Sequence, residues 1–156
     1  MAKLQGPVRQ ENALSFAADI AEDGQVATIT FANLEVSVQG KNPALVATQV
    51  ATLTLPIVEK AIDLHVWLTI QGFVFTESGT QAILVAHLGD TTALAPLPES
   101  PSNQSFQQVL EVTLPAGVDA QTTLFLLAER NDENLGVYLN VLSLDFSLGE
   151  LESGGA

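Results

Sequence analysis

Apolar positions recur with a period of two along most of this chain. The pattern is clearest in the stretch 61–71, where Ile62, Leu64, Val66, Leu68 and Ile70 alternate with Asp63, His65, Trp67, Thr69 and Gln71. Successive side chains of a strand point to opposite faces, so this stretch predicts a β-strand with one apolar and one mixed face. The same reading covers 13–20, 25–38, 45–55, 80–88, 106–114, 122–130 and 136–148. In 25–38 the phase slips at Ala32-Asn33, which predicts a bulge, and a second slip is expected at Val50-Ala51. The stretch 80–88 is apolar on both faces, with Ile83 and Val85 opposite Ala82, Leu84, Ala86 and Leu88. No segment carries a capped 3.6-residue period. About eight strands, punctuated by turn signals such as Glu22-Asp23-Gly24 and Glu77-Ser78-Gly79, predict an all-β fold. The expected architecture is a single-domain antiparallel β-sandwich of jelly-roll type.

The chain of 156 residues has the length of one domain. Its body is expected over 13–148, between an N-terminal arm (1–12) and a flexible tail (149–156). Gly6-Pro7 blocks helix in the arm, and Lys3 and Arg9 are its candidate anchors against a neighbouring copy. The segment 89–105 reads as a long loop, and structureless loops above about 12–15 residues are uncommon and often functional. Asp90, Pro96, Pro98, Pro101 and Asn103 are its candidate functional residues.

Composition narrows the function. The absence of cysteine excludes disulfides, thiolate metal sites and cysteine nucleophiles. Eighteen acids against five Lys and Arg give a formal charge of −13. That balance argues against nucleic acid and anionic membranes, both of which need clustered cations. No signal-like h-region opens the chain and no apolar run approaches the ~20 residues of a membrane helix, so a soluble protein of cytoplasmic synthesis is expected. Charged residues make up 15% and apolar residues 47%, against about 25% charged in average domains. Part of the outer surface is therefore expected to be covered by a homo-oligomer or larger assembly.

Catalytic chemistry is sparse. Asp63 and His65 share a strand face, but a zinc site takes three or four protein ligands, and His87 or Asp90 would have to join from a neighbouring strand. There is no Gly-x-Ser-x-Gly elbow, phosphate loop or dinucleotide fingerprint. The oxygen-rich run Asn131-Asp132-Glu133-Asn134 matches a polar turn, with calcium as its alternative. No catalytic residue, cofactor or metal is assigned, and the chain is not read as an enzyme. Trp67, Phe73 and Phe75 share the face of Asp63 and His65, and together these five form the candidate interface or ligand face. The leading expectation is a self-associating structural subunit of virion-decoration, capsid, fibre or surface-layer type. The alternative is a carbohydrate- or ligand-binding sandwich, with or without the help of calcium.

Overall fold

A strand with one apolar side must bury that side against a second layer, and two five-stranded sheets do so here. The computed structural model describes residues 2–10, 15–40, 44–58, 63–97, 103–115 and 117–150. Its strands are β1 (Lys3–Leu4), β2 (Arg9–Gln10), β3 (Phe16–Ile20), β4 (Val26–Val38), β5 (Val46–Leu55) and β6 (Ile57–Val58). They continue as β7 (Leu64–Thr76), β8 (Thr80–Leu88), β9 (Thr91–Pro96), β10 (Gln104–Leu114), β11 (Ala120–Arg130) and β12 (Val137–Glu150). The first sheet runs β10-β7-β12-β4-β3 and the second β2-β5-β11-β8-β9, with a small β1-β6 pair beside them. Every pairing is antiparallel. Without the edge strands β2 and β3, the order β4-β12-β7-β10 faces β5-β11-β8-β9, which is the two-Greek-key jelly roll. Among the described residues no helix is long and apolar enough to cross a membrane.

The inward positions make one core. Ile29, Leu68, Ile70, Leu84, Leu124 and Phe146 are all at most 1% exposed, and each such side chain contributes about 1.5–3 kcal/mol by leaving water. The bulge expected at Ala32-Asn33 is present: both residues are exposed in succession before the inward phase resumes at Leu34. It is matched by a break in β12, whose register against β4 and β7 shifts across Leu142. Gly72 lies opposite this break, and a Cβ there would fall on the Asn140 carbonyl, so only glycine lets the two backbones approach.

Several expectations are corrected. There is no slip at Val50-Ala51, because β5 holds unbroken register with β11 from Leu55↔Ala120 to Val46↔Glu129. The apolar residues Val46 and Val50 therefore stay outward, which imitated a change of phase. The segment 89–105 is not one loop, since β9 pairs along β8 from Thr91↔Leu88 to Pro96↔Ile83. Pro96 ends this edge strand, where its missing N–H is tolerated. Pro98 and Pro101 lie outside the described residues. Finally, residues 2–10 are not a free arm. Ala2 and Leu4 are buried, Leu4 N donates to Gly24 O at 2.7 Å, and Arg9 pairs with Thr54. Two apolar residues in strand phase are enough to dock this segment. Residues 149–150 of the expected tail continue β12, and 151–156 lie outside the described residues.

One loop cluster is organised by a buried cation. Arg130 is 2% exposed. Its Nε donates to Ala44 O at 3.1 Å, and its Nη1 donates to Gly40 O at 3.0 Å, Glu133 O at 3.0 Å and Leu135 O at 2.8 Å. The guanidinium thus ties the loop after β4 to the turn between β11 and β12.

Candidate functional site

The odd-numbered residues of β7 face outward: His65, Trp67, Thr69, Gln71, Phe73 and Phe75. Side chains paired across neighbouring strands share a face, so the register assembles the surroundings of each. Trp67 lies between Glu111 of β10 and Ser147 of β12. Thr69 lies between Val109 and Asp145, with Thr28 of β4 beyond. Gln71 lies between Gln107 and Ser143, with Thr30 beyond. Phe73 neighbours Ser105 and Asn140, while Phe75 neighbours Tyr138.

Trp67 is held in place from two directions. Its ring stacks on His65, with centroids 4.8 Å apart and planes 17° from parallel. Its benzo edge lies over Gly149, where an added Cβ would come within 2.5 Å of the ring. Glu111 Oε1 meets His65 Nε2 at 2.7 Å, which fixes the imidazole from the far side. A half-buried indole is thus held in a fixed orientation.

The polar side chains are equally ordered. Thr28 Oγ1 donates to Asp145 Oδ1 at 2.6 Å. Tyr138 OH donates to Glu35 Oε2 at 2.9 Å, and Asn140 Nδ2 approaches the same oxygen at 3.5 Å. Burial, and then the adjacent Glu35 carboxylate as hydrogen-bond acceptor and negative charge, raise the Tyr138 phenol above its ordinary 10.0. The Oδ1 of Asn140 is buried and accepts no hydrogen bond from the protein. A depression of about 320 Å³ opens on this face, lined by Gln71, Phe73, Ser105, Phe106, Gln107 and Leu142. The bulged Leu142 forms part of its wall.

Of the five residues expected on this face, His65, Trp67, Phe73 and Phe75 are there, whereas Asp63 is exposed just before β7 begins. Lys3 is exposed in β1, and Arg9 Nη2 pairs at 3.3 Å with Asp119 Oδ2 of its own body instead of reaching out. Asp90 follows β8 beside Arg9 and Asp119, and Asn103 is exposed ahead of β10. A shared metal site for His65 and His87 is ruled out by topology. β7 and β8 belong to different sheets, and His87 Nδ1 meets Thr92 Oγ1 at 2.7 Å on the opposite outer face. In the 131–134 turn, Asp132 Oδ1 accepts from Asn134 N and Nδ2 at 2.9 and 3.0 Å. Sequence reasoning missed Gln107, Glu111, Asn140, Ser143 and Asp145, whose place beside the outward residues of β7 depends on strand order.

No family model matches the sequence, and no curated protein does. Solved structures that it is similar to include the C-terminal CBM6 of LamC, a marine laminarinase from Zobellia galactanivorans. That likeness has 11% identity and a TM-score of 0.35, and covers 90% of this chain and 98% of the other. Another is the CBM22-1 xylan-binding domain of Xyn10C from Paenibacillus barcinonensis, at 14% identity and a TM-score of 0.29, over 96% of this chain and 86% of the other. Likeness at this level assigns no ligand to this chain.

Proposed function

We propose that this chain is a non-catalytic carbohydrate-binding β-sandwich, and that its ligand lies along the outer face of the first sheet. The observation that carries the reading is the pre-oriented Trp67, set in a row of hydrogen-bonding side chains on β7, β10 and β12. A sugar presents a flat apolar C–H face and a rim of hydroxyls. An indole face suits the first. The amides of Gln71 and Gln107, the hydroxyls of Thr69 and Ser143 and the carboxylate of Asp145 suit the second, as donors and acceptors.

Shape and charge refine the ligand. From His65 to Phe75 the face runs roughly 33 Å at ~3.3 Å per residue, which suits several sugar units of a chain. A formal charge of −13, with Glu35, Glu111 and Asp145 at the face, selects neutral glycans over sulfated or uronic ones. Both histidines are engaged, His65 by Trp67 and Glu111 and His87 by Thr92, which favours recognition over conversion.

A glycan array carrying neutral and acidic oligosaccharides, followed by calorimetry on any hit, tests the reading. Sub-millimolar binding of a neutral oligosaccharide is expected, roughly 4–6 kcal/mol. Trp67→Ala is expected to weaken it about tenfold, the scale of one lost aromatic contact. An array silent for every neutral glycan would sink the proposal.

A further inference from the structure

The outer face of the second sheet has the opposite character. Val50 of β5, Phe125 and Leu127 of β11, Ile83 and Val85 of β8 and Leu94 of β9 lie side by side there in register. Val50 is 41% and Leu94 63% exposed. In a chain with eighteen acids, the outward charged residues of these strands are Glu129, at the end marked by Val46, and Arg9, at the end marked by Thr54. Depletion of charge around an apolar, aromatic centre is what separates the middle of an interface from ordinary surface.

We infer that this face is a self-association surface and that its occupant is a second copy of the chain. Size supports this. Four main strands at ~4.8 Å and about nine residues at ~3.4 Å give a face of roughly 600 Å² per copy, approaching the ~800 Å² per partner of a standard interface. Charge placement then selects the arrangement. The row Val50–Phe125–Val85–Leu94 lies midway between the Glu129 end and the Gln121–Thr54 end, where Arg9 lies. A two-fold axis through that row, perpendicular to the strands, lays Phe125 near its own mate. It also places the two Glu129 carboxylates at opposite ends of the interface, avoiding a Glu129–Glu129 encounter. Such an isologous pairing closes on itself.

Sedimentation velocity over a concentration series tests this on the full chain. A species of twice 16.5 kDa is expected for the native chain. Leu94→Glu, at a position 63% exposed in the monomer, is expected to raise the dimer dissociation constant about tenfold or more, the scale of burying like charges together. Val109→Glu, on the first sheet and 49% exposed, is expected to leave it unchanged. A chain that stays monomeric at every concentration overturns the inference, as does a dimer broken by Val109→Glu but not by Leu94→Glu. A monomer that floats with neutral phosphatidylcholine vesicles assigns the face to lipid and overturns it too.

Discussion

At the scale of single residues, two side chains do work that their position in the sequence conceals. Arg130 is a buried cation whose hydrogen bonds to four carbonyl oxygens bind two loops together. Removing it leaves those oxygens without their donors, and with water reaching the loops the net loss is about 3–5 kcal/mol, the scale of removing one buried charged partner. Arg130→Ala is therefore expected to lower the melting temperature by roughly 10 °C, and Arg130→Lys to recover only part, because one ammonium cannot span both loops. Differential scanning calorimetry reads both. Tyr138 is the only tyrosine in the chain, so its titration can be followed cleanly by absorbance. Its phenol is raised above 10.0 by burial and by Glu35, so above pH 10 the folded chain keeps a proton that the unfolded chain releases. That contribution is intact below pH 10 and is lost as the pH rises through the folded value. The expected outcome is a phenolate midpoint above 10 that falls back toward it in Glu35→Gln.

At the scale of elements, legibility follows burial. Leu64, Val66, Leu68 and Ile70 face the core of a sandwich, so the period of two was a direct image of β7. The slip in β4 at Ala32-Asn33 was legible for the same reason. β5 was misread because Val46 and Val50 are apolar and face outward, and periodicity cannot distinguish an apolar outer face from a shifted register. The aromatic members of the candidate site, Trp67, Phe73 and Phe75, were legible since they share one strand. Glu111 and Asp145 were not, because they reach Trp67 and Thr69 only through the pairing of β7 with β10 and β12. That pairing brings together residues far apart in sequence. Gly149 belongs to the same class, for its lack of a side chain matters only because the Trp67 ring lies over it. Gly149→Ala is expected to push the ring away and cost about 1–3 kcal/mol, as overpacking does. A red-shifted tryptophan emission with the fold retained by circular dichroism would show it.

At the scale of the whole molecule, the sandwich has two unlike outer faces, one polar and aromatic, the other apolar and nearly free of charge. A dimer formed through the second leaves both copies of the first pointing outward, so that one glycan chain or surface can engage two faces at once. Salt separates the two activities. Copies carrying −13 each repel, and added salt screens that repulsion, so dimerisation is expected to tighten with ionic strength. Binding of a neutral glycan is expected to stay nearly constant. The most direct measurement is the emission of Trp67, the single tryptophan, during titration with neutral oligosaccharides of increasing length. A saturable change that strengthens with chain length and is weakened in Gln71→Ala and Gln107→Ala, which keep the indole reporter, is the expected result. Emission that stays unchanged across neutral oligosaccharides, in a chain shown to be folded, would contradict a carbohydrate site on this face.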